Sequence, residues 1–123
     1  VDNIYGIDAV NNDGDPMDDN NHGTHCAGTI GARANDGNPH VGVAWNVKLM
    51  GCKFLSGAGW GYTSGAIECV DWATANGAKV LSNSWGGGGF SQGLHDAIAN
   101  ARKVLGPTPF SISRSSKSSM PLP

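Results

Sequence analysis

The chemistry-bearing stretch of this chain is Asn20-Asn21-His22-Gly23-Thr24-His25-Cys26-Ala27-Gly28-Thr29, which places a histidine at the mouth of a helix built from small residues. An imidazole held there is suited to proton transfer, because a general base has to be neutral before it works and a helix N-terminus favours that form. The bland alternative for His22 is a capping or surface histidine. His25, the second histidine of the block, reads as buried and satisfied by hydrogen bonds. A zinc site from His22, His25 and Cys26 ranks last, since the i, i+4 spacing with an intervening Glu used by zinc proteases is missing. Upstream, Asp8, Asn11, Asp13, Asp15 and the backbone carbonyl of Met17 offer hard oxygen donors at short intervals around Gly14 and Pro16. Such a donor set suits calcium; the alternative is a solvated acidic turn, and the loop is not an EF-hand.

Several elements have to position these groups. Asn20 or Asn21 can cap the His22 helix, with Asp18 and Asp19 beside the positive end of its dipole. Gly23, Ala27, Gly28 and Gly31 leave little bulk on that helix, which is reasonable only if another element packs there, so the helix is expected to be buried. Val41 to Val43 and Val47 to Leu55 have the apolar content of strands, with Trp45-Asn46 as the turn between them. Thr63 to Asn76 carries Ala66, Ile67, Val70, Ala73 and Ala75 in a near-helical stripe, opened by Thr63 or Ser64 and closed at Gly77. Lys79 to Ser84 reads as a short strand. Ser91 then caps a helix from about Gln92 to Lys103 with Leu94, Ala97, Ile98 and Ala101 on one face. Alternating strands and helices imply an α/β fold whose central sheet is mostly parallel with crossover helices.

Composition sets limits. The 123 residues, 39% hydrophobic and 15% charged with net charge −2, allow one modest domain and give no reason to expect nucleic acid. No apolar run approaches membrane-spanning length, and no signal peptide is visible. The chain does not begin with Met, so it reads as a processed product or a piece of something longer. Three cysteines, Cys26, Cys52 and Cys69, match no metal framework and read mostly as small buried hydrophobes, a Cys52 to Cys69 bridge being conceivable.

The His22 block resembles the histidine block of the subtilisin-like serine proteases, the subtilases. The resemblance implies a subtilisin-like three-layer fold and peptide-bond hydrolysis with His22 as the catalytic general base. It also implies that Ser84-Trp85-Gly86 and Gly59-Trp60-Gly61, each following an expected strand, run along an extended peptide or protein substrate and pair with its backbone. Glycine leaves the amides and carbonyls open for such pairing, although each segment taken alone is an ordinary glycine turn. Trp85 stands where Leu is usual, which implies a reshaped primary pocket. The spacing of the acidic loop from His22 matches the calcium loop of the thermitase-like branch, with Asn11 in place of an Asp, and Cys26 resembles the free cysteine that one branch carries beside its active site. A secreted location, a structural calcium ion and a monomeric complete enzyme follow from the same likeness.

Other family blocks are not found. The Asp-Thr-Gly or Asp-Ser-Gly block, the Gly-Thr-Ser-Met-Ala nucleophile block and the Ala-Gly-Asn oxyanion segment do not occur. The likeness is expected to cover residues 1–104 as an internal part of the catalytic domain. Residues 105–123, with Pro107, Pro109 and a Ser-rich end, look foreign to it, since such a tail cannot make a central strand. The expected function is a serine endopeptidase, represented by a fragment inactive on its own. The alternative is a non-catalytic, calcium-stabilised fragment or pseudoenzyme that still binds peptides.

Overall fold

The computed structural model describes residues 5–106. They divide into two compact units, with the boundary between Gly59 and Trp60. The expected tail falls outside the described residues from position 107 onward.

The first unit is a parallel strand pair with a helix between its strands. Strand β1 (Tyr5–Asp8), helix α1 (His22–Gly31) and strand β2 (Met50–Lys53) follow in that order. β1 pairs with β2 in parallel, Tyr5 opposite Met50 and Asp8 opposite Lys53. Parallel strands cannot be joined by a hairpin, so the chain must cross over, and α1 lies in that crossover. The register depends on Gly6, whose missing side chain leaves room for the Gly51 carbonyl and Pro16.

Three expectations for this unit need correction. β1 is not anticipated by the sequence pattern, because four residues with a central glycine carry too little alternation to be noticed. The predicted strand from Val47 to Leu55 shortens to Met50–Lys53, and Val41 to Val43 is not a strand. The latter segment spends its backbone on the end of α1 instead: Gly42, Val43 and Ala44 donate to the carbonyls of Ala32, Thr29 and Ile30 at 2.8–3.0 Å. α1 itself contains no buried residue, contrary to the expected burial. Its small residues make room at one end only, where a Cβ on Gly31 would lie 2.6 Å from Val47, while a Cβ on Gly28 would meet nothing.

The second unit is a helix pair. Helix α2 (Thr63–Ala75) and helix α3 (Gln92–Leu105) follow the predicted boundaries closely. α2 ends as a Schellman motif: Ala78 N–H donates to Ala73, Gly77 N–H donates to Thr74, and Gly77 takes φ +76°. α3 is capped as expected, the Ser91 hydroxyl accepting from the Leu94 amide at 3.3 Å. Val70, Ala97 and Ala101 form the core between the helices, with Ile67, Leu81, Leu94 and Ile98 packed against it. Lys79 to Ser84, predicted as a strand, is not one in the structure, since among the described residues it has no ladder partner. The architecture is α/β with a parallel sheet and a crossover helix.

Among the described residues no helix is long and apolar enough to cross a membrane. Among the described residues Cys26 is a free cysteine, half-buried.

Candidate active site histidine and its surroundings

His22 is the first residue of α1 and is exposed. The turn into the helix forms at Asn21, which adopts φ 86°, a left-handed conformation that asparagine tolerates better than most residues. In that conformation Asn21 makes no side-chain cap, and neither does Asn20, whose amide instead donates to the Gly57 carbonyl at 2.7 Å. The cap comes from Asp18. Its carboxylate accepts from the Thr24 amide at 2.7 Å and from the Asn20 amide at 3.0 Å. The Thr24 bond, opposed by partial burial and reinforced by the Asn20 and Asn21 amides, lowers the Asp18 pKa from its ordinary 3.8 to about 2.

The segment before the helix is also fastened to β2. Lys53, at the end of that strand, places Nζ 3.1 Å from Asp19 Oδ1 and donates to the Leu55 carbonyl at 2.7 Å. Its side chain is only 9% exposed against 56% for Asp19, so this contact is partly withdrawn from solvent. On the imidazole, Nε2 lies 3.7 Å from Cys26 Sγ, one helical turn on. No carboxylate among the described residues bonds the ring. His25 is exposed, correcting the expectation of a buried histidine: among the described residues nothing covers its side of α1.

The acidic loop folds on itself. Asp8 and Asp13 exchange backbone hydrogen bonds at 2.9 and 3.1 Å. Asp8, 3% exposed, accepts from the Val10 and Asn11 amides on one oxygen and from the Asn11 side chain on the other. Burial works to raise its pKa, but the Asn11 and Val10 bonds and the Lys53 charge together bring it below the usual carboxylate value. Asp13 accepts from the Asp15 amide and Asp15 from the Met17 amide. The donors are all hard oxygens, as calcium requires. Among the described residues, however, no three Asp, Glu, His or Cys side chains gather as a metal site, and the same holds for His22, His25 and Cys26.

Gly59, at φ +84°, closes a turn by donating to the Ser56 carbonyl at 2.8 Å. Exposed Trp60 and half-buried Gly61 then lead into α2. In the second unit Ser84 and Trp85 are half-buried and Gly86 is exposed, with Trp85 Nε1 donating to Asn83 Oδ1 at 3.2 Å. Sequence reasoning misses two residues around His22. It gives Asp18 only a dipole role, and no local rule points to Lys53, whose contact with Asp19 is long-range.

A parallel strand pair whose crossover helix begins at a histidine is in keeping with the subtilisin-like family. A model of the Subtilase family matches residues 1–113, and the chain belongs to that family. It is 46% identical over 99 residues to alkaline serine exoprotease A of Vibrio alginolyticus, covering 80% of this chain and 17% of that protein. It is 36% identical over 104 residues to subtilisin-like protease 1 of Plasmodium vivax, covering 85% of this chain and 16% of that one. The chain thus spans about a sixth of the length of these relatives. A crystal structure of a cold-adapted subtilisin-like serine proteinase matches with TM-score 0.67 and 41% identity, over 81% of this chain and 36% of that one. The fold is accordingly part of the subtilisin-like three-layer architecture.

Proposed function

We propose that this chain is an internal part of a serine endopeptidase, residues 1–104 belonging to the catalytic domain, in which His22 takes the proton from a serine supplied by the rest of that domain. The observation that carries the reading is the placement of His22 as the first residue of α1, its helix start fixed by Asp18. Family membership supports the reaction class. Ser84-Trp85-Gly86 and Gly59-Trp60-Gly61 hold the peptide extended, and Trp85 forms a wall of the primary pocket. The test is a chimera in which residues 1–104 replace the matching segment of a full-length subtilase. His22→Ala should reduce its turnover by several orders of magnitude, and Trp85→Leu should alter the ranking of bulky against small substrate side chains. The 123-residue chain alone should turn over no peptide. A His22→Ala chimera as active as its parent sinks the general-base role.

Calcium belongs to the same proposal, as does the assignment to the thermitase-like branch that it supports. Asp8, Asn11, Asp13, Asp15 and the Met17 carbonyl would hold it, the ion supplying charge neutralisation to a loop with three carboxylates. Binding to the folded form stabilises it by mass action, so calcium should raise the melting temperature of the chimera and Asp13→Ala should cancel most of the rise. An equal response of both proteins to calcium and to chelator makes the loop a plain acidic turn.

A secreted location goes with this reading, on the strength of the family resemblance. The full-length product should be found in the medium; recovery from the cell interior with reduced cysteines counts against it.

A further inference from the structure

We propose that Lys53 is a positioning residue for His22, acting through Asp19 and the two residues on either side of it. The proposal rests on the reading of His22 as the general base, because only then does the placement of its helix start matter to a reaction. The geometry is local to the first unit. Lys53 is the last residue of β2 and is paired in register with Asp8. Its ammonium lies 3.1 Å from Asp19 Oδ1 while also donating to the Leu55 carbonyl, so its direction is fixed from two sides.

Asp19 stands between two residues that each have a task. Asp18, on one side, accepts from Thr24 in the first turn of α1. Asn20, on the other, donates to the Gly57 carbonyl across a separation of 37 residues. The close approach is possible because Gly57 has no side chain: a Cβ there would lie 3.1 Å from Asp19 Cγ. The three consecutive residues therefore serve as one anchor to the end of β2, one to the loop that follows it and one cap to α1. Exposed ion pairs contribute little, but Lys53 is nearly buried, and removing its charge would leave Asp19 without its partner and free the segment to move. Asn21, already left-handed, is the hinge that such movement would use.

Amide hydrogen exchange on the full-length chimera that carries residues 1–104, with the His22 imidazole proton shift as a second readout, tests this without any turnover. Lys53→Met removes the charge at similar volume, Asp19→Asn removes the charge of the exposed partner while keeping its shape, and Lys53→Arg keeps the pair. Local opening sets the exchange rate of such amides, and the Thr24 amide should lose about tenfold in protection in the first two variants. The His22 proton should shift in both, and Lys53→Arg should restore each readout. The Ala44 amide, bonded to Ile30 near the other end of α1, is the internal control and should keep its protection. Unchanged Thr24 protection and an unmoved His22 proton in the first two variants overturn the proposal. Equal losses at Thr24 and Ala44 also overturn it, since they report general destabilisation. A failure of the general-base reading would be seen separately, as a His22→Ala chimera that keeps its activity.

Discussion

Asp18 supplies the cap that its neighbours Asn20 and Asn21 were better placed by sequence to supply. Asn21 is turned left-handed and Asn20 is drawn to Gly57, so the free first-turn amide at Thr24 goes to the carboxylate three residues before Asn21. Loss of a capping acceptor costs about 1 kcal/mol. Asp18→Ala in the full-length chimera should therefore lower stability by about 1 kcal/mol in urea denaturation at neutral pH. Its pH dependence has a definite sign. A carboxyl whose folded pKa is about 2 against an ordinary 3.8 adds stability above pH 4, and that contribution is lost as pH falls through about 2. The gap between wild type and Asp18→Ala should close over that window. A gap as wide at pH 2 as at pH 7 would remove Asp18 from the helix start.

At the scale of elements, α1 meets a close backbone approach at one end, while among the described residues nothing crowds Gly28 at its middle. Gly42 is buried against Gly31 and Ala32, and a Cβ on it would lie 2.6 Å from Gly31 Cα, a backbone atom that cannot swing aside. Gly42→Ala should cost about 1–3 kcal/mol, as overpacking does. Gly28, with open space at its Cβ, should respond oppositely: Ala there stabilises a helix by about 0.5–1 kcal/mol. Thermal melting of the two variants within the full-length chimera checks both, and equal shifts of one sign contradict the packing described. The three helices are legible in the sequence because their signals are local. Ser91 caps the residues that follow it, Gly77 ends the helix before it, and the apolar stripes of α2 and α3 repeat within a few residues. The strands are not legible to the same degree, because a strand is defined by a partner elsewhere in the chain: Tyr5–Asp8 goes unnoticed, and Lys79 to Ser84 has the apolar pattern without a described neighbour. The site divides the same way. His22 is legible from its own block, whereas Asp18 as the cap and Lys53 as the anchor depend on contacts that spacing does not reveal.

At the scale of the molecule, apolar side chains and buried positions are poorly matched among the described residues. Among the described residues the buried hydrophobics are Ala66, Val70, Ala73, Ala97 and Ala101, four of them alanines with little area to withdraw from water. Val43 is 88% exposed, Phe90 81% and Trp45 61%. Burial of a large apolar side chain contributes about 1.5–3 kcal/mol and a methyl group far less, so this core supplies a small part of what chain entropy costs. The solved relative offers the physical context, since the matched region is only 36% of that chain. In a complete domain more apolar surface is available to cover such residues. The 123-residue chain on its own should then bind a hydrophobic fluorescent dye strongly and melt over a broad temperature range. Transplanted into the full-length chimera, the same residues should lose most of the dye signal and share one sharp transition. A sharp transition without dye binding for the chain alone would mean that the exposed apolar surface is covered within the chain, and that residues 1–123 are stable without the remainder of the domain.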